Sequence, residues 1–548
     1  MLERLSSQPK LTSPEGCMKS ILIARSSDLL LSACLLLGIV PAVAQDLPSE
    51  PEVSYDIRRD VSPPLREMAK NAPPMRRARG ETLEPKSSFV FPPVPAGEDA
   101  AVQEAYLPGV STHAVLSFDG MTSDDSGGVA PPDTNGAVGS KQFVEIVNFA
   151  YEVFDKTSGK ILLKPTSIDT IWQGFGGLCQ NINGGDPVVL WDKMAQRWLV
   201  TQLSYSQGFI KDFVCVAVST SSDATGSYNR YAFNFHGVLT DYPKYGIWPD
   251  AYYFSGNVNG SEPCALDRSA MIAGKKAALI CITPNPNFNS FLPSDMDGAM
   301  PPPTGAPNHY VDIPNGTSNQ LAEFDFHVDF ANPKKSTFTG PNIITVPAYS
   351  FACGGLGDCI PQPTPGEMLE VLADRLMFRL AYRNFGDHES LVVNHSVVPG
   401  KHSTASAVVR WYEMRATPAG GKFSHYQAGT FQDPTTSLWM GSIAMDKQGD
   451  IALGMSASST TLKPSVWYTG RVPTDPLGKM ETPTVAAKGS AVQIGDGQRW
   501  GDYSSMSIDP VDDCTFWYSQ MYYNKKHGGA SSGDWSTRIT AFRFNGCQ

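Results

Sequence analysis

The chain has 548 residues, a formal net charge of −11 and a pI of about 5.4. Such a chain repels phosphate backbones, so nucleic acid is not an expected partner. Only 18% of residues are charged, while 49 glycines, 43 prolines and 10% aromatics suggest many turns joining short strands rather than long amphipathic helices.

The N-terminus reads as an export signal. Lys19 and Arg25 precede the apolar run "LLLSACLLLGIV" (29–40), and "PAVAQ" follows with Ala42 and Ala44 at the small-residue cleavage positions. Cleavage is expected after Ala44, with Met18 as an alternative start, so residues 1–44 are a signal peptide with an upstream extension. The alternative is a lipoprotein signal at "LSAC" (31–34) with Cys34 lipidated; Arg25 and Asp28 interrupt the stretch before it and argue against this. The expected location is secreted or periplasmic. No later segment has the ~18 uninterrupted apolar residues that a membrane span needs.

Residues 45–112 are rich in proline and charge, with "RRD" (58–60) and "PPMRRARG" (73–80). They lack apolar periodicity and read as a linker, a wrapping arm or a propeptide.

From His113 onward, short runs of β-formers alternate with Gly/Asp/Pro/Asn turns. The best short helix candidate is "LDRSAMIAGKKA" (266–277). "SIAMDKQGDIALGMS" (442–456) aligns with "SMSIDPVDDCTFWYS" (505–519), matching Ser442 to Ser505, Asp446 to Asp509, Asp450 to Asp513 and Ser456 to Ser519. Each is a strand, an Asp-led turn and a second strand. The same plan recurs around Asp192 and Asp250, and with a longer tip in "RLAYRNFGDHESLVVNHS" (379–396). Strand entries then fall at Asp133, Asp186, Asp241, Asp295, Arg375, Trp439 and Asp502. Those steps suit blades of four strands. The expected fold is all-β, a seven-bladed β-propeller over 113–548, with the lone strand "HAVLSFDG" (113–120) completing the last blade and closing the ring. Six blades, or β-sandwich domains divided at "PPPTGAPN" (301–308), are the alternatives.

Eight cysteines remain after the leader: Cys179, Cys215, Cys264, Cys281, Cys353, Cys359, Cys514 and Cys547. An even count in an exported chain suggests disulfides, and the absence of a CxxC pair argues against a zinc site. Connectivity is open at this level; pairing of chain neighbours is the economical choice.

Several segments resemble a group of exported bacterial proteins that share a propeller-like domain. They are "PPDTNGAVG" (131–139), "GGDPVVLWDKMAQRWL" (184–199), "DYPKYGIWPDAYYFS" (241–255), "DRLMFRLAYRNFGDHESLVVNHSV" (374–397) and "RWGDYSSMSIDPVDDCTFWY" (499–518). The resemblance implies fold and export and brings no catalytic residues with it. "SIDPVDDCTFW" (507–517) is also similar to a loosened sialidase Asp-box, which is a folding turn rather than a site.

Two regions are candidate sites. "YRNFGDHESLVVNHSV" (382–397) concentrates Arg383, Asp387, His388, Glu389 and His395 in a chain with nine histidines. Its spacing is not H-E-x-x-H, so it reads as a polar hairpin tip rather than a metal centre. The strand entries are stronger, because a propeller starts every innermost strand on one face. Asp186, Asp241, Arg499 and Asp502 are the catalytic candidates. Asp133, Asn135, Lys244, Arg375, Trp439 and Trp500 are the ligand-binding candidates. Carboxylates there suit acid–base work or Ca²⁺, arginine a carboxylate clamp, and tryptophan a sugar face. Arg375, Arg379 and Arg499 could supply an arginine triad, without a Tyr–Glu pair beside it. "SDDSGG" (123–128) and "SDMDGAM" (294–300) are further Ca²⁺ candidates off the usual loop pattern. No cofactor is firmly implied. The expected protein is a monomer that binds an extracellular glycan or protein, or else a carbohydrate-active hydrolase or lyase.

Overall fold

The computed structural model describes residues 50–72, 89–95, 97–206, 212–235, 241–257, 261–283, 287–495, 498–525 and 535–547. The leader with Cys34 and Ala44, and Arg76 to Arg79, lie outside these residues.

The fold is all-β and propeller-like. Successive antiparallel meanders follow the chain, and each opens with an inner strand. The first unit runs from Asn135–Val138 to Ile161–Ser167, the second from Val188–Asp192 to Tyr228–Asn234 and the third from Asp241–Ile247 to Ala278–Cys281. The fourth runs from Leu292–Met296 to Thr337–Thr345, the fifth from Met377–Asn384 to Phe423–Phe431 and the sixth from Ser437–Met445 to Thr484–Ala487. The last holds Ser505–Ile508, Phe516–Tyr523 and Trp535–Phe544, and the early strand Thr112–Thr122 pairs antiparallel with Trp535–Phe544. The inner strands neighbour one another in order, and Ser505–Ile508 lies against Asn135–Val138, so the circuit closes.

Inner strands are covered on both faces, which is why they read as continuous runs rather than alternations. Every residue of Ser437–Met445 is buried. The outermost strand Thr112–Thr122 shows exposed positions along most of its length instead. Packing between inner strands is close enough to demand glycine: a Cβ at Gly246 would collide with the Ser294 carbonyl oxygen.

The repeated aspartates are turn-formers. Asp192 Oδ1 accepts from the Ala195 N–H at 3.0 Å, Asp446 Oδ1 from Gln448 and Asp450 at 2.8 and 3.0 Å, and Asp509 Oδ1 from Val511 at 2.9 Å. Such Asx turns start these three hairpins back along their blades. The Arg268–Ile272 helix is capped by Asp267, whose Oδ1 accepts from the Ala270 N–H at 3.0 Å.

Two expectations change. The 301–308 segment joins the first two strands of the fourth unit, Leu292–Met296 and Asn308–Asp312, so it is a hairpin connection and not a domain boundary. Asp295 is not a strand entry: it is the penultimate residue of Leu292–Met296 and lies at the opposite end.

The arm wraps. Glu52–Tyr55 pairs with Ala278–Cys281, and Arg58–Val61 pairs with Tyr228–Asn234, adding an outer strand to two units. The buried Arg230 donates from Nε and Nη2 to both Asp60 oxygens at 2.7 Å. Trypsin nicking at Arg76–Arg79 is therefore expected to leave the 50–72 segment bound. The nicked protein should elute as one species and separate only in denaturant. Dissociation of the N-terminal piece in native buffer would refute the pairing.

The eight cysteines form Cys179–Cys215, Cys264–Cys281, Cys353–Cys359 and Cys514–Cys547. These are the neighbour pairings, and four bridges suit an oxidising compartment. Among the described residues no helix is long and apolar enough to cross a membrane.

Candidate functional site at the two ends of the inner strands

The strand entries converge. Asp133 and Asp186 each precede an inner strand by two residues and take left-handed backbone, at φ 47° and 48°. Aspartate tolerates this conformation better than most residues. Asp133 Oδ1 accepts from the Asp502 N–H at 2.7 Å, and its Oδ2 from the Asn148 amide at 2.6 Å. Asn148 Oδ1 accepts from the Asp186 N–H at 3.0 Å, and Asp186 Oδ2 from the Tyr242 N–H at 3.1 Å. One hydrogen-bonded chain thus runs from the last unit through the first and second to the third.

Cations sit among these carboxylates. Arg499 donates from Nη2 to Asp502 Oδ1 and from Nε to Glu370 Oε2, both at 2.7 Å. Arg375 pairs with Asp374 at 2.8 Å and lies 4.4 Å from the Tyr242 ring centroid. The buried Lys244 amine lies 3.2 Å from the Tyr242 centroid and 4.1 Å from that of Tyr503. Burial raises the Asp133 carboxyl well above its ordinary range, and the Asp502 and Asp186 charges add to the rise. Burial, Asp186 and Asp502 likewise push Asp241 up to about 7. Burial draws Lys244 down to about 8 against the pull of Asp186 and Asp502. Asp133, Asp186, Asp241, Lys244, Arg375, Arg499 and Asp502 therefore form one group.

Three sequence candidates take structural places. Trp439 and Trp500 are fully buried with centroids 5.1 Å apart, and the Trp500 indole N–H donates to Ser456 Oγ at 3.1 Å. Neither offers a face to a sugar. Asn135 is buried, and its Oδ1 accepts from the Val189 N–H at 2.9 Å, joining two inner strands.

The His/Glu-rich stretch is a hairpin between Met377–Asn384 and Glu389–Val397. His388 Nδ1 meets Asp387 Oδ1 at 2.7 Å, and its ring stacks on Phe385. His395 is buried, with Nε2 2.9 Å from the Tyr412 hydroxyl; burial and Arg410 hold its pKa well below the usual value. Glu389 is buried and accepts from the Tyr382 hydroxyl at 2.5 Å and from the Gly420 N–H.

The open space lies near that hairpin, at the far ends of the inner strands. A cavity of about 590 Å³ is lined by five of them, through residues that include Val138, Trp191, Asp295, Arg379 and Ser507. This is the size of a small-ligand site. The buried Arg379 donates to Asp295 Oδ2 at 2.7 Å and to Asp297 Oδ2 at 2.8 Å. Lys193 donates to the Gly298 carbonyl, and burial lowers its amine to about 8. Asp513 lines the cavity and receives two hydrogen bonds from Arg383, at 2.8 and 2.7 Å.

Asp295 and Asp297 are thus neutralised by an arginine where the sequence suggested a Ca²⁺ loop. In "SDDSGG", Asp125 Oδ2 accepts from the Thr122 N–H and hydroxyl, which makes it a turn. Arg379 belongs to this group and not to that of Arg375 and Arg499, so the three do not form a triad. Sequence reading missed the cavity residues Trp191, Lys193 and Asp513. The Asp-led turns were the available signal, since Trp191 and Lys193 flank Asp192.

No protein-family model matches this chain, and no curated protein matches it. Solved structures similar to it include the extracellular domains 1–2 of Drosophila semaphorin 1b, at 6% identity over 80% of this chain and 88% of that one, with a TM-score of 0.35. An α-L-arabinofuranosidase from Fusarium graminearum in complex with an iminosugar inhibitor is 8% identical over 76% and 93%, with a TM-score of 0.34. The WD40 domain of SCAP from fission yeast is 10% identical over 73% and 81%, with a TM-score of 0.30.

Proposed function

We propose that the protein is an exported seven-bladed β-propeller that binds an extracellular ligand, a glycan or a protein, on the axis of its inner strands. The observation that carries this reading is the cavity of about 590 Å³ bounded by strands from five units, with Asp295, Asp297, Arg379, Lys193 and Asp513 on its walls and the Trp191 side chain beside them. Carboxylates, an ammonium and an indole in one recess suit a polyhydroxylated ligand, which needs both hydrogen-bond acceptors and donors. The carboxylate group at the strand entries is the second place on the same axis where a ligand could be held. A glycan array identifies the ligand, and incubation of the hit with protein separates binding from turnover. Lys193→Ala and Asp513→Asn should then weaken retention by on the order of tenfold or more, as loss of a charge-assisted hydrogen bond does. His388→Ala, on the hairpin tip, should leave it unchanged. If Asp502→Asn and Arg499→Ala abolish retention while the cavity variants do not, the ligand sits at the strand entries. Retention indifferent to all four would refute an axial site.

A second reading is a carbohydrate-active enzyme, a glycoside hydrolase or polysaccharide lyase. It is favoured by Asp241, held at about 7 in the same group as the Arg499-paired Asp502. A carboxyl that keeps its proton near neutrality can serve as a general acid. New reducing or unsaturated ends in the incubation, lost in Asp241→Asn, would establish it.

A further inference from the structure

A third cluster lies away from the axis, between the fourth and fifth units. Asn308–Asp312 pairs with Gln320–His327, and the register sets His309 opposite Asp325. Glu323 lies two residues before Asp325, so the strand's period of two puts both carboxylates on one face with the imidazole. His309 Nδ1 is 2.9 Å from Glu323 Oε1 and 2.9 Å from Asp325 Oδ1. The three atoms all lie within 4.8 Å of one another.

One Nδ1–H faces two carboxylate oxygens, and Asp325 Oδ1 is shielded from solvent without a further hydrogen-bond partner. Two carboxylates this close call for a cation between them, and either an imidazolium or a metal ion can hold that place: burial lowers the His309 pKa, but the hydrogen bonds to Asp325 and Glu323 outweigh it and raise it to about 9. The ring is held in place by edge contacts to Trp248 and Phe423, with centroids at 6.0 and 4.7 Å. Glu323 is itself oriented, since its Oε2 accepts from the Asn342 amide at 3.2 Å. All three residues line a cavity of about 560 Å³, which gives an ion an entry path and leaves room for a further ligand. Among the described residues, the other two groups with metal-ligand composition each contain a disulfide pair, Cys264–Cys281 or Cys514–Cys547, whose sulfurs are spent.

We propose that His309, Glu323 and Asp325 form a site for a divalent cation of the Zn²⁺ class. Zinc bonds to imidazole nitrogen and carboxylate oxygen run ~2.0–2.2 Å, so tetrahedral ligand atoms stand about 3.4 Å apart. The two His309–carboxylate distances are about half an ångström shorter than that spacing, so the carboxylates open slightly around the ion. A nitrogen and two carboxylate oxygens suit Zn²⁺ better than Ca²⁺, which takes six to eight oxygens. The fourth position faces the cavity, so the ion can take water or a ligand group there. The site is separate from the axial cavity and stands or falls independently of the proposed ligand.

The test uses the full secreted chain after chelator treatment and desalting. ZnCl₂ is titrated calorimetrically, and Co²⁺ is added separately to read its visible absorption. The expected result is one Zn²⁺ per chain, a tetrahedral Co²⁺ spectrum and a rise in melting temperature with Zn²⁺. Asp325→Asn, whose side chain is 45% exposed and tolerates replacement, should lose affinity by on the order of 100-fold and lose the Co²⁺ spectrum. Glu323→Gln and His309→Gln should behave alike, with circular dichroism confirming the fold of each. No Zn²⁺ uptake by the wild type overturns the proposal. Equal uptake by wild type and a folded Asp325→Asn also overturns it, because the ion is then bound elsewhere.

Discussion

Arg379→Met is expected to lower the free energy of unfolding by about 3–5 kcal/mol, the cost of leaving a buried charge without its partner. Arg379 is 3% exposed, and its guanidinium holds Asp295 at 2.7 Å and Asp297 at 2.8 Å. It also donates to the Met506 carbonyl at 3.2 Å, which ties the fifth unit to the last across the axis. Burial already raises the Asp295 carboxyl, and Arg379 is the charge that opposes the rise. Without it, two carboxylates share the wall of a recess whose other cations are the half-buried Lys193 and Arg383, the latter already paired with Asp513. The triple variant Arg379→Met, Asp295→Asn, Asp297→Asn removes the stranded charges and should recover most of the loss. Differential scanning calorimetry distinguishes these outcomes. An unchanged melting temperature in Arg379→Met would mean that the Arg379–Asp295–Asp297 ion pairs contribute nothing to the fold.

Asp241→Asn is expected to change the pH dependence of stability more than its value at acid pH. The folded chain keeps the Asp241 proton up to about pH 7, whereas the ordinary value is 3.8. Between those limits the native state binds more protons than the unfolded one. The stability linked to this proton is whole below pH 3.8 and is lost as pH rises through about 7. A single group can contribute at most about 1.4 kcal/mol per pH unit in that window. Lys244 acts in the opposite sense and in another window. Its folded value of about 8 lies below the ordinary 10.5, so its contribution is whole above 10.5 and is lost as pH falls through about 8. Asp241→Asn should flatten the descent between pH 4 and 7, stabilise the protein at pH 7.5, and leave the alkaline limb in place. Chemical denaturation across that range reads both limbs. A descent of unchanged slope would show that Asp241 is ionised in the folded protein at acid pH.

The repeating pattern was legible in the chain because blade strands and Asp-led turns are local. Asp192, Asp446 and Asp509 close their turns with hydrogen bonds spanning four residues or fewer. The convergence of Asp133, Asp186, Asp241, Lys244, Arg375, Arg499 and Asp502 was legible too, since strand order alone fixes which ends share a face. The four neighbour disulfides follow from the same locality.

What the sequence by itself determined is therefore periodicity, strand ends and turn chemistry. Tertiary structure decided which of those ends is filled and which is open. Trp439 and Trp500 pack into the core because the blades leave no room between them, a volume effect that no local pattern encodes. Asp295 moved to the opposite end because the inner strand of its unit begins three residues earlier, at Leu292, and a short shift in strand limits carries a side chain from one mouth to the other. His309, Glu323 and Asp325 came together through cross-strand register, which depends on the length of the intervening loop and on the packed face, and these are settled only when the sheet forms.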